Sequence, residues 1–187
     1  MSDLPPLDLV DLPAGQWTLS PSVPEHAPEA LALFSDPEVK QWNPAPNVVD
    51  LDSALDWLKR NRAWGPEWAV WSIVDSDGKF VGSSLLWNMD RGDHLNGSVG
   101  YRIAPWARRQ GVATAAVRAM TTYAFDVVGL ERLDLVHTLA NVGSCLVAER
   151  SGFALEGILR SDYRTDDGRR WDCHIHSRLP TDPPPVA

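Results

Sequence analysis

A change of hydrophobic period near the middle of the chain restricts the fold more than any other feature. EWAVWSIV (67–74), KFVGSSLLWNM (79–89) and SVGYRIAP (98–105) read as three successive strands. Asp77-Gly78 between the first two is a hairpin signal. In the third, Val99, Tyr101 and Ile103 share one face, and Gly100 and Arg102 the other. From Val112 the period becomes helical. Ala113, Ala116, Val117, Met120, Ala124 and Val127 fall on one stripe, and Gly129 suits a C-cap. A strand run that feeds one such helix and then another strand demands a mixed sheet with helices against it.

The flanking segments extend that pattern. Residues 16–23 form a first strand, and PEHAPEALALFS a helix with Ala30, Leu31, Leu33 and Phe34 on its apolar side. DPEVKQW starts a second helix, with Asp36 as N-cap and Pro37 at the first helical position. NPAP breaks it. Asp50 or Asp52 caps a third helix, where Leu51, Leu55 and Leu58 recur. RLDLVHTL (132–139) is a strand, and Asn141 opens a short helix to Arg150. A strand, a turn at DDG (166–168) and a closing strand over RRWDCHIHSRL complete the chain. The expected architecture is one α/β domain over residues 1–187. Residues 1–15 and 180–187 are expected as irregular, proline-rich tails.

Charge and cysteine content narrow the function classes. Lys plus Arg is 17 and Asp plus Glu is 25, a net charge of −8. That argues against nonspecific nucleic-acid binding, which needs cations along the phosphates. It suits cationic or amine-bearing partners. Cys145 and Cys173 have no CxxC spacing, so a reduced, cytoplasmic setting is expected. The N-terminus has no signal-peptide pattern, and no apolar run is long enough to span a bilayer. Nine tryptophans supply bulky core filling or the wall of an aromatic pocket.

RRQGVATAA (108–116) sits where strand gives way to helix. The first N–H groups of a helix are unpaired and its dipole favours negative charge, so a phosphate can bind there. Gly111 keeps the backbone bare, Ala113 keeps the next turn small, Thr114 adds a hydroxyl, and Arg108 and Arg109 add charge. The stretch is neither a GxGxxG fingerprint nor a P-loop. Alone, such a stretch is common by chance and reads first as an ordinary loop-to-helix turn.

Other blocks give it context. GYRIAPWARRQGVAT resembles the strand, acyl-CoA pyrophosphate loop and helix start of the GNAT acyltransferase superfamily. NVGSCLVAERSGFALEGILR (141–160) and DDGRRWDCHIHSRL resemble its RimJ/RimL-type N-acetyltransferase branch. WTLSPS and DPEVKQW are similar too, and the likeness runs over residues 17–179. The resemblance implies a mixed, mostly antiparallel sheet splayed between strands four and five, with pantetheine in the gap. It implies acetyl-CoA as donor and a primary amine as acceptor, either a protein N-terminus or a small molecule. The backbone at Ile103 and Ala104 would pair with pantetheine. Arg108, Arg109, Gln110, Gly111, Val112, Ala113 and Thr114 would hold the pyrophosphate, and Asn141 the cofactor arm.

The proton-handling residues depart from the family pattern. Where many members carry a tyrosine acid, this chain has Ala148. Ser144 occupies the position that serves in the RimL-like branch; the other reading makes Asn141 an N-cap and Ser144 a routine first-turn residue. The family's glutamate base is replaced by Ser98, leaving Glu67, Asp90, Asp93 and His94 as acids and bases to consider. Trp42, Trp87, Asp93, His94, Trp171 and Asp172 are the expected acceptor-side residues. His137 reads as a packed core histidine. His174 and His176 flank Ile175 with no third ligand spaced for a metal, so no metal is expected. No nucleic-acid or membrane partner is expected, and a homodimer is compatible with the reading. The alternative function, motivated by the missing Tyr and Glu, is a non-catalytic acyl-CoA-binding module.

Overall fold

The computed structural model describes residues 4–43, 47–165 and 167–185 of the 187. The chain opens with β1 (Leu12–Ala14) and β2 (Trp17–Pro21), then α1 (Ala27–Ser35), α2 (Pro37–Trp42) and α3 (Leu51–Arg62). β3 (Ala69–Val74), β4 (Phe80–Asp90) and β5 (Asn96–Ile103) follow as an antiparallel meander. α4 (Val112–Tyr123), β6 (Arg132–Thr138), α5 (Val142–Arg150), β7 (Ala154–Arg164) and β8 (Arg170–Arg178) complete it. The strands form one sheet in the order β1-β2-β3-β4-β5-β6-β8-β7. Every neighbouring pair is antiparallel except β5 and β6, which α4 connects in parallel.

Local chemistry explains the boundaries. Asp36 caps α2 by accepting from the Val39 N–H at 3.1 Å, with Pro37 pre-set behind it. Asp50, rather than Asp52, caps α3. Its carboxylate accepts from the Ser53 N–H at 2.8 Å, while the Ser53 hydroxyl accepts from the Asp50 N–H at 2.9 Å. In the β3–β4 turn, Asp75 accepts from the N–H groups of Asp77 and Lys79.

Strand alternation divides the core in two. Trp71, Ile73, Val99, Met120 and Leu133 pack together with α4 over one face. Phe34, Leu58 and Phe80 pack with α1 and α3 in a second cluster, over which the Arg102 guanidinium sits at 5.5 Å from the Phe34 ring.

The structure differs from the sequence reading in two places. Residues 12–14, expected within an irregular tail, form edge strand β1, with Leu12 opposite Leu19. Pro13 is tolerated because an edge strand has one side without ladder partners. The Trp71 indole N–H holds this segment by donating to the Val10 carbonyl at 3.0 Å. Val127, expected on the buried stripe of α4, is 70% exposed. The helix widens into a π-helical turn over Ala124–Val128, which rotates that residue outward. Residues 44–46 of the expected NPAP break, Asp166 of the DDG turn, and residues 1–3 and 186–187 of the tails lie outside the described residues. No helix among the described residues is long and apolar enough to cross a membrane.

Candidate active site

β5 and β6 pair at Asn96–Arg132, Gly97–Leu133 and Ser98–Asp134, and at no further position among the described residues. Beyond Ser98 and Asp134, both strands line a cleft of about 560 Å³. These are strands four and five of the sequence reading; β1 shifts the count by one. The cleft runs from the N-terminus of α4 to the first turn of α5, with α2 along one side.

The α4 end is built from backbone. Gly111 is the N-cap, with φ +88°, and no side chain caps the helix. A Cβ there would meet only the Trp17 ring edge at 3.9 Å. Glycine is thus required by backbone conformation, since a left-handed L-residue costs about 1–2 kcal/mol. Arg109 is also left-handed at φ 60°. Arg109, Gly111, Val112, Ala113 and Thr114 all line the cleft, and Arg109 forms no ion pair among the described residues.

Arg108 also lines the cleft and makes contacts that its place in the sequence did not suggest. Its guanidinium is bound by the carboxylates of Asp36 and of Glu38, the latter at 2.6 Å, and its Nε donates to the Ile103 carbonyl at 3.2 Å. With two carboxylates on it, Arg108 ties α2 to the loop and leaves Arg109 to meet an anion. Burial of Asp36 acts against ionisation, but the Arg108 bond and the Val39 N–H outweigh it and hold the carboxyl below its usual range. Gln110 turns back to donate to the Trp106 carbonyl at 3.2 Å and does not line the cleft. Nor does Ala104. Its N–H donates to the Val81 carbonyl and its carbonyl accepts from the Ala107 N–H, both at 2.9 Å, so its N–H is already used. Ile103 does line the cleft.

At the other end, Asn141 caps α5: its side-chain oxygen accepts from the Ser144 N–H at 3.1 Å. Asn141 and Ser144 both line the cleft. Ala148 is fully buried, so that position of α5 faces the core. Beside Ser144 stands a group the sequence reading passed over. The Tyr101 phenol lies next to the Ser144 hydroxyl, outside regular hydrogen-bond geometry and with no other partner. Burial pushes it up to about 12, with Ser144 opposing only in part, so it stays protonated at neutral pH. Asn43 closes this side by donating from Nδ2 to the Tyr101 carbonyl at 3.1 Å and accepting from Arg102 Nε, also at 3.1 Å. Sequence spacing carried no signal for Asn43, which is 58 residues from Tyr101.

The expected acceptor residues separate into groups. Trp42 lines the cleft, and Trp171 packs on it edge to face, with centroids 5.6 Å apart. Trp87 is 48% exposed; its indole nitrogen lies 3.9 Å from where a Cβ on cleft-lining Gly100 would stand. Asp172 is not with them. Alternation turns it to the opposite face from Trp171, where its carboxylate accepts from the Ser161 N–H at 2.8 Å. Asp93 and His94 lie in the β4–β5 turn, at the far end of β5 from Ile103, and do not line the cleft. Glu67 and Asp90 are not in its lining either. His174 and His176, a pair without a third ligand by chain spacing, lie against His137 and Cys145.

Comparison with known proteins agrees with this geometry. The model of the acetyltransferase (GNAT) domain matches residues 16–154. The uncharacterized N-acetyltransferase YoaA of Bacillus subtilis is 26% identical over 155 residues, covering 82% of this chain and 87% of its own. Mycobacterium smegmatis RimJ, solved in complex with CoA-disulfide, superposes with a TM-score of 0.81 at 24% identity, over 94% of this chain and 88% of that one. The microcin C7 self-immunity acetyltransferase MccE, solved with acetyl-CoA and AMP, superposes with a TM-score of 0.76 at 20% identity, over 88% of this chain and 93% of that one. On the strength of a family match over most of its length, this chain belongs to the acetyltransferase (GNAT) family.

Proposed function

We propose that the protein moves the acetyl group of acetyl-CoA to a primary amine, by direct attack within a ternary complex. The observation that carries this reading is the single cleft joining an anion-ready helix start to a protonated, buried phenol and hydroxyl. Acetyl-CoA supplies the activated acyl group as a thioester. Toward it, the free N–H groups of Val112, Ala113 and Thr114, with Arg109, hold the pyrophosphate. The edges of β5 and β6 flank the pantetheine arm, so that the carbonyl is presented in one orientation. Asn141 orders the first turn of α5. As the C–N bond forms and the C–S bond breaks, Ser144, with Tyr101 beside it, gives a proton to the departing sulfur, and the proton lost by the amine passes to solvent, from which the hydroxyl is restored. Trp42 and Trp171 form an aromatic wall for the acceptor.

The acceptor is a primary amine on a protein N-terminus or a small molecule. RimJ and MccE, similar in fold, are named for different settings. Release of free thiol from acetyl-CoA, measured over a panel of N-terminal peptides and small amines, tests the proposal. Amine-dependent release supports it. Tight CoA binding with no turnover on any amine would favour a non-catalytic acyl-CoA-binding module, the reading that Ala148 motivates.

A further inference from the structure

α5 packs beside β6 and β7, and its Cys145 thiol meets three imidazoles from β6 and β8. His137 on β6 stands directly across from His174 on β8, and His176 across from Leu135, so the three rings share one face. Ring centroids are 5.4 Å apart for His137–His174, 5.2 Å for His137–His176 and 5.7 Å for His174–His176. Cys145 reaches them from α5. One ligand-capable atom from each of the four residues lies within 4.8 Å of all the others. His137 and His176 are buried, and His174 and Cys145 half-buried.

The hydrogen bonding is unusual for simple packing. Nδ1 of His137 lies 2.9 Å from the Thr138 carbonyl oxygen, which can only accept. The proton therefore sits on Nδ1, and Nε2 presents a lone pair to the cluster. That Nε2 is 3.3 Å from Nε2 of His176. Two nitrogens bound tetrahedrally to one zinc ion, each at about 2.0–2.1 Å, stand about 3.3–3.4 Å apart. Nδ1 of His174 is buried without a hydrogen-bond partner. Three clustered imidazoles with an orphaned nitrogen are a poor way to fill a core, because unsatisfied buried polar atoms are costly.

We propose that His137, His174, His176 and Cys145 form a four-ligand site for a divalent transition metal of the zinc class, which staples α5 to β6 and β8. Three nitrogens and one sulfur in a closed set match a structural zinc site. The chemistry is ligand exchange without redox change. The three neutral imidazoles donate lone pairs, the Cys145 S–H bond breaks, its electron pair goes to the metal, and one proton goes to solvent. Burial and the nearby Glu149 carboxylate hold the Cys145 thiol up, so the metal itself must displace that proton. Affinity therefore falls as pH falls. The site does not depend on the acetyl-transfer reading, although Cys145 directly follows Ser144.

The test is titration of the full-length, chelator-treated protein with Co²⁺, followed by displacement with Zn²⁺. One equivalent is expected to give the d–d absorption of tetrahedral cobalt together with a thiolate-to-cobalt charge-transfer band, and Zn²⁺ is expected to raise Tm. Cys145→Ser is expected to remove the charge-transfer band, and Cys173→Ser to leave it intact. His174→Gln, at a half-buried position that tolerates the change, is expected to weaken binding by more than the roughly 10–100-fold typical of altering a residue outside the ligand set. Absence of stoichiometric binding overturns the proposal. So does a spectrum of octahedral type, a charge-transfer band that follows Cys173, or unchanged affinity in both Cys145→Ser and His174→Gln.

Discussion

The two ends of the cleft are made of different material. At the α4 end the recognising groups are backbone N–H donors from consecutive residues, with a left-handed Gly111 and one unpaired arginine. At the α2 end they are side chains from distant parts of the chain: Trp42, Asn43, Tyr101, Ser144 and Trp171. A backbone-built site is indifferent to most side-chain exchanges and fails when conformation or charge is changed. A side-chain-built site can be remodelled one residue at a time. In the proposed reaction, the donor is accordingly the fixed half and the acceptor the variable half.

That contrast can be broken by experiment. The largest effect is expected at the chemistry. Ser144→Ala combined with Tyr101→Phe is expected to lower turnover by roughly 10²–10⁴-fold, with acetyl-CoA affinity largely kept. Unchanged turnover in steady-state assays would remove both residues from proton transfer. Next, Gly111→Glu adds left-handed strain of about 1–2 kcal/mol and a negative charge worth about 0.3–1 kcal/mol at the helix start. Together these predict a loss of acetyl-CoA affinity on the order of 10–100-fold. Calorimetry showing native affinity would mean the pyrophosphate sits elsewhere. Trp171→Ala is expected to act on the other half only. It removes an aromatic pair worth about 0.5–1.5 kcal/mol, raising the acceptor KM by up to about tenfold and leaving acetyl-CoA affinity alone. A matched rise in both constants would erase the division between the two ends.

The smallest effect concerns the tie between them. Asp36→Asn keeps the cap of α2 but removes a charge from Arg108. It is expected to cost up to about 1 kcal/mol, or about 2–4 °C in Tm. Because the Asp36 carboxyl is held below its ordinary value of 3.8, its contribution is present above that pH and is lost as the pH falls through the lowered value. The gap between wild type and variant is therefore expected to close in strong acid. A gap that persists there in thermal melts would assign the effect to something other than this charge.

The same contrast explains what could be read from the chain beforehand. The start of α4 was legible because RRQGVAT is contiguous, and a turn followed by a helix start is a local property. Asn43 and Tyr101 were not, because their partnership depends on how α2 lies across β5. The ties of Arg108 to α2 were not legible for a related reason: its carboxylate partners lie about seventy residues earlier. Asp172 was placed on the wrong side because a strand turns adjacent residues to opposite faces. The histidine–cysteine cluster was hidden because the His137–His174 register creates it, and β6 and β8 are far apart in sequence. Strand β1 was hidden by Pro13, a residue that argues against strands everywhere except at an edge.

Arg108 carries a thermodynamic consequence. Its guanidinium binds α2, the helix that bears Trp42, and its Nε binds the end of β5 at the entrance to the anion-binding loop. In the proposed reaction, that guanidinium is the direct link between the helix on the acceptor side and the loop on the donor side. Linkage then requires reciprocity: whatever factor the acceptor applies to the donor's dissociation constant, the donor applies to the acceptor's. Arg108 is thus the place to look for the preferred order in which the two substrates enter.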